Sequence, residues 1–208
     1  MRKNKPLIIG VTGGIGSGKS LVCSVFNVLG APCYNADRSA RLLMEDDPEV
    51  ITEIKKLFGN KAYNASGQLN RDHVARIAFE DKNIVQKLNA IVHPAVGRDF
   101  SSWINKNDHP YVIKEAALLI ESGSYKSLNF LINVQAPLGM RINRVLKRDP
   151  YRSKEELVKI IDNQLSDEDR NMNSDFILNN NNEKLLVPQI LELDQKFQSG
   201  FTKPIQVS

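Results

Sequence analysis

The stretch PLIIGVTGGIGSGKSLVCSVF constrains the fold more than any other part of the chain. A short, β-branched apolar run leads directly into a glycine-rich loop, and the loop into a run with helical spacing. Gly13-x-x-x-x-Gly18-Lys19-Ser20 matches the phosphate-binding loop pattern in full, in the strand–loop–helix context that the pattern needs. Its glycines open backbone conformations closed to other residues, so several N–H groups can point at one anion. The N-terminus of the following helix adds partial positive charge. The expected nucleotide-binding residues are Gly13, Gly14, Ile15, Gly16, Ser17, Gly18, Lys19, Ser20 and Leu21. Lys19 is expected on the β- and γ-phosphates and the Ser20 hydroxyl on Mg²⁺. The motif marks a triphosphate site and leaves the acceptor open.

Periodicity along the rest of the chain predicts an α/β fold. APCYNAD reads as a weak second strand that delivers Asp37 at its end, and Gly30 closes the helix before it. From Arg38 the pattern turns helical, in RSARLLMED, PEVITEIKKLFG, RDHVARIAFED and NIVQKLNAIV. Pro94 is expected to interrupt the last of these before AVGRDFSSWI resumes it. PYVIKEAAL and NFLINVQA read as buried strands, and PLGMRINRVLKRD as a helix with Pro137 in its first turn. Ser153 to Glu156 forms a capping box that opens KEELVKIIDNQL. DFILNN reads as a last strand, and EKLLVPQILELDQKF as a closing helix kinked at Pro188. The polar tail QSGFTKPIQVS is expected to fray. Strands alternating with helices imply a parallel sheet covered by helices on both faces, with ligands at the C-terminal ends of the strands.

Three further features bear on chemistry. Asp37 is either the N-cap of RSARLLMED or a carboxylate that takes a proton from an attacking hydroxyl or helps to hold Mg²⁺. Arg141, Arg144 and Arg148 share a helical face, either solvated or as part of a lid over a transferring phosphate. His93 and His109 each precede a proline, a place that more often packs or caps than reacts. No Asp ends PYVIKEAAL, where a Walker B carboxylate would sit and Lys114 and Glu115 stand instead, and no NKxD-like guanine reader occurs, which counts against a motor ATPase or a GTPase.

Composition bounds the remainder. The 208 residues, 41% hydrophobic and 25% charged, suit one globular domain. A net charge of +4 without a basic run interleaved with aromatics fits small polyanions and gives no sign of nucleic acid. Cys23 and Cys33 are too few for a disulfide framework and read as reduced thiols. The apolar run after MRKNK is too short for a signal peptide, and nothing approaches a membrane span, so a cytoplasmic protein is expected.

Taken together, IGVTGGIGSGKS, LGAPCYNAD, LNAIVHPAV, ALLIESG, NRVLKRD, DNQLSDEDR and DFILNN resemble, in order, the motifs of the dephospho-CoA kinase family. The likeness runs from about Ile8 to Leu193. It implies ATP-dependent phosphorylation of the 3′-hydroxyl of dephospho-CoA, giving CoA and ADP in the last step of coenzyme A synthesis. It implies one P-loop kinase domain with a helical CoA-binding insertion at about residues 38–105 and a lid at about residues 137–170. By position, Asp37 is the implied base, Lys19 the phosphate lysine, and Arg144 and Arg148 the lid arginines. Asn180 is implied near the adenine, and His93 with Asp37 on the substrate. Asn35, Ala116-Ala117 and Asn179 depart from the family pattern without removing a catalytic part. ATP, dephospho-CoA and Mg²⁺ are the expected partners, and a monomer or weak homo-oligomer the expected state. The alternatives are a kinase for a nucleoside or nucleoside monophosphate, or a nucleotide-dependent switch without an acceptor.

Overall fold

A computed structural model describes residues 5–202, apart from the side chains of residues 79, 80 and 82. The strands are β1 (Leu7–Thr12), β2 (Cys33–Asn35), β3 (Tyr111–Glu115), β4 (Phe130–Gln135) and β5 (Phe176–Asn179). The helices are α1 (Lys19–Val28), α2 (Ala36–Asp46), α3 (Pro48–Phe58), α4 (Arg71–Glu80), α5 (Lys82–Asn105), α6 (Leu138–Arg148), α7 (Lys154–Asp162), α8 (Asp167–Met172) and α9 (Leu186–Gln198). The chain divides into two compact units, one from the described residues up to Tyr34 and from Asn107 onward, the other Asn35–Lys106.

In the first unit the strands form one sheet of order β2-β3-β1-β4-β5. β1 pairs in parallel with β3, setting Val11 opposite Glu115, and with β4, setting Thr12 opposite Asn133. β4 in turn pairs in parallel with β5. A strand buried on both faces cannot afford polar alternation, which is why LIIGV and FLINV read as almost continuous apolar runs. Ile9, Val11, Ile132, Val134 and Leu178 face α1 and α9, packing with Val22, Phe26, Ile190, Leu193 and Phe197. The opposite face carries Leu131 and Asn133, and Asn133 donates to Asn171 Oδ1 on α8 at 2.7 Å. Phe197 meets the rings of Tyr111, Phe130 and Phe176, with centroids 5.4, 5.7 and 5.6 Å away.

The second unit is helical. Asp47 caps α3, accepting from the N–H groups of Glu49 and Val50, with Pro48 pre-set in its first turn. Asn70 caps α4 and Asp81 caps α5. Val50, Ile54, Phe58, Val74 and Ala95 form its core.

Several sequence expectations change. β2 stops at Asn35, and Asn35 caps α2 by accepting from Arg38 N–H, so Asp37 lies in the first turn of that helix and is neither a strand residue nor the cap. An Asx side chain two residues earlier fits the cap position, so the helix starts sooner than apolar spacing suggests. α5 runs unbroken through Pro94. His93 and Pro94 are exposed while Val92, Ala95 and Val96 are buried, so the lost hydrogen bond lies on the wet side, where water can replace it. α9 begins at Leu186, which places Pro188 in its first turn, where no N–H is needed and no kink follows. Pro137 is the N-cap of α6 and stands just before its first turn. α8 is a short helix beyond KEELVKIIDNQL for which periodicity gave no expectation. The capping box at Ser153 and Glu156 is present, and Gly30 follows α1 with a φ of +96°. Residues 203–208 of the polar tail lie outside the described residues.

Phe197→Ala should remove the centre of the aromatic cluster and lower stability by about 3–5 kcal/mol, read from the midpoint and slope of urea unfolding.

Candidate active site

The loop between β1 and α1 leaves a strand that is held on both sides, so its first residues are fixed by the sheet. Ser17 N–H closes back on the Gly14 carbonyl at 3.1 Å. Gly18 has a φ of +105°, and a Cβ there would collide with the Asn180 amide, so both conformation and space require glycine. Lys19 Nζ donates to the carbonyls of Gly13 at 2.8 Å and Gly14 at 3.3 Å, folding its ammonium over the loop. Ile15 N–H donates to Gln164 Oε1 at 2.9 Å, which joins the loop to the segment between α7 and α8. Leu21 is exposed on the first turn of α1.

Where the sequence has no Asp at the end of β3, Glu115 supplies the carboxylate. Ser20 Oγ donates to Glu115 Oε1 at 3.2 Å, and Glu115 is buried. A hydroxyl beside a buried carboxylate is a donor set that suits Mg²⁺, and these two residues would hold such an ion together with nucleotide phosphates and water. Among the described residues no three His, Cys, Asp or Glu side chains gather into a metal site of their own. Nearby, a hydrogen bond with Cys33, burial and the Glu115 carboxylate push the Cys23 thiol up, so it stays protonated. Burial pulls the Lys114 ammonium below its usual value.

The other expected residues fall in three places. Asn180 is buried against the loop, and its Nδ2 donates to Ser17 O at 2.8 Å. Arg144 Nη2 donates to the Asn180 carbonyl at 3.1 Å and to its Oδ1 at 3.3 Å, so this arginine sits beside the loop through Asn180. Arg148 lies at the end of α6 with its side chain 66% exposed, paired with Asp149 at 2.7 Å. That hydrogen bond holds the Arg148 guanidinium above its ordinary value. Asp37 and His93 are exposed residues of the helical unit.

On sequence alone, Gln164 and Arg170 have no role, Glu115 counts against a Walker B site, and Arg141 is only one of three arginines on a helical face. The signal for Glu115 was parallel register with β1, which a sequence does not display. Arg141 was read only as one of a stripe, although Val145 follows it at i+4 on a buried face. Burial lowers the Arg141 pKa, partly offset by Asp167 and reinforced by Arg170.

A phosphate-binding loop at the centre of a parallel sheet, with a lysine, a hydroxyl and buried arginines around it, defines a P-loop phosphotransferase. The chain belongs to the dephospho-CoA kinase family, whose model matches residues 7–185. It is 37% identical over 186 residues to the dephospho-CoA kinase of Bacteroides fragilis, covering 89% of this chain and 90% of that protein. It is 40% identical over 155 residues to the dephospho-CoA kinase of Chlorobaculum tepidum, covering 71% and 74%. The crystal structure of TT1252 from Thermus thermophilus superposes with a TM-score of 0.83 at 31% identity, over 92% of this chain and 97% of that one. Dephospho-CoA kinase from Campylobacter jejuni shares the fold, with a TM-score of 0.67 at 24% identity over 93% and 98%. Among the described residues no helix is long and apolar enough to cross a membrane.

Gly18→Ala should strain the loop and displace Asn180. ATP affinity should fall at least about tenfold by titration calorimetry, and the protein should melt lower by about 1–3 kcal/mol of lost stability.

Proposed function

We propose that this protein transfers the γ-phosphoryl group of ATP to the 3′-hydroxyl of dephospho-CoA, giving CoA and ADP in coenzyme A biosynthesis. The observation that carries the reading is the family match over residues 7–185, which contains the whole phosphate-binding loop and the buried cations around it. The γ-phosphorus–oxygen bond to ADP breaks, a bond from the 3′-oxygen to phosphorus forms, and the hydroxyl proton passes to a base. Asp37 is the residue proposed for that proton. Lys19 and the loop N–H groups would hold the β- and γ-phosphates, and Ser20 with Glu115 would hold Mg²⁺, which when bound neutralises phosphate charge. Little covalent assistance is needed in such a transfer, so positioning and charge stabilisation supply most of the rate.

Residues 38–105, within the helical unit, are proposed as the dephospho-CoA-binding part, with His93 among its contacts. Residues 137–170 are proposed as the lid, with Arg144 acting on the transferring group and Arg148 on the nucleotide after closure. Asn180 is proposed beside the adenine. Two free cysteines and an ATP substrate suit a reducing, cytoplasmic setting, and a monomer or weak homo-oligomer is the proposed state.

The first test is ADP production from ATP and Mg²⁺ with dephospho-CoA, against nucleosides and nucleoside monophosphates at equal concentration. Stimulation by dephospho-CoA alone is expected, and stimulation only by another acceptor would overturn the assignment. Asp37→Asn should lower kcat by about 10²–10⁴-fold with KM for ATP within a few-fold. Unchanged kcat would remove Asp37 from the base role. Lys19→Ala should damage kcat and ATP affinity together, and normal turnover would sink the phosphate role.

A further inference from the structure

α6 and α8 bring two buried guanidinium groups to the phosphate-binding loop. Arg141 is 4% exposed and Arg170 2% exposed. Asp167 joins them, accepting from Arg141 Nη2 at 3.4 Å on one oxygen and from Arg170 Nη2 at 2.6 Å on the other. One carboxylate thus stands between two desolvated cations, leaving a net positive charge. The Nε and Nη1 atoms of both arginines are buried without a hydrogen-bond partner. Buried donors of a charged group are costly to leave unpaired, and in native structures such orphans mark a missing partner.

Their place says what that partner is. A Cβ on Gly14 would collide with the Arg141 guanidinium and lie 3.1 Å from Arg170 Nη2. The Lys19 ammonium lies on the carbonyls of Gly13 and Gly14. Three cations therefore converge on the first two residues of a loop built to hold phosphate. Both arginines lie on elements tied to their neighbours. Asn133 donates to Asn171, and Asn171 donates to Gln135 Oε1 at 3.0 Å, which ties the helix of Arg170 to β4. Arg141 lies on the buried face of α6 with Val145.

We infer that Arg141 and Arg170, bridged by Asp167, are catalytic residues that receive the γ-phosphoryl group in the transition state. The inference rests on the proposed ATP-dependent reaction. As the bond to ADP breaks and the bond to the 3′-oxygen forms, negative charge redistributes over oxygens that these fixed donors meet, and neither arginine gains or loses a proton. Asp167 is a positioning residue that holds the two forks at one spacing. Glycine is required at position 14 because a Cβ there would overlap the Arg141 guanidinium.

The test uses the full chain and the variants Arg141→Met and Arg170→Met. kcat and KM are measured with dephospho-CoA, and calorimetry compares Mg·ADP with Mg·ADP plus aluminium fluoride, a planar mimic of the transferring group. Each variant should lose about 100-fold or more in kcat while KM for ATP changes less than about fivefold. ADP affinity should persist, and the tighter binding conferred by fluoride on the wild type should disappear. Arg141→Lys and Arg170→Lys, which keep charge and lose the fork, should recover only part of the rate. They carry the same comparison should a methionine variant fail to fold. Wild-type kcat in the variants would overturn the inference, as would equal losses of ADP and fluoride-complex affinity, the mark of a purely structural role. A wild-type protein that does not phosphorylate dephospho-CoA defeats the activity reading before any variant is compared, so the two failures are distinct.

Discussion

Parallel pairing of β1 with β3 on one side and β4 on the other is the constraint on which the rest of the site depends. It decides where the loop begins, and it sets Glu115, the last residue of β3, opposite Val11, one residue before the end of β1. Glu115 therefore meets Ser20 without any loop having to carry it there. On the other flank, Asn133 stands opposite Thr12 and reaches α8, so β4 positions the helix that carries Arg170. Rigid strands supply precision that a surface loop could not, which suits charges that must be in place before reaction.

The cost of the arrangement is electrostatic. Two buried arginines share one carboxylate, and four of their nitrogens have no partner. Such groups destabilise a fold unless something compensates. Here the compensation comes from the apolar sheet and its aromatic cluster, which stand on the face opposite α8. Stability and function are thus drawn from different layers of the same unit.

Much of this was legible in the chain. The loop motif, the capping box at Ser153 and Glu156 and the glycine after α1 were readable because each is a local device completed within a few residues. Expectations failed where an unlocalised preference met context. Asn35 outcompeted Asp37 as cap, and the prolines at 94 and 188 sat where a missing N–H costs little. The family resemblance pointed to Arg144 and Arg148, whereas the most deeply buried arginines at the loop are Arg141 and Arg170.

By itself the sequence determined that the chain would form a parallel α/β core, hold a triphosphate at its first loop and carry the motifs of one kinase family. Those features follow from periodicity and from motifs whose residues are neighbours along the chain. Tertiary structure decided which carboxylate serves Ser20, which arginines lose their water, and that Asn180 locks the loop from 163 residues away. Register and burial create these contacts, and neither is a property of any short stretch of sequence.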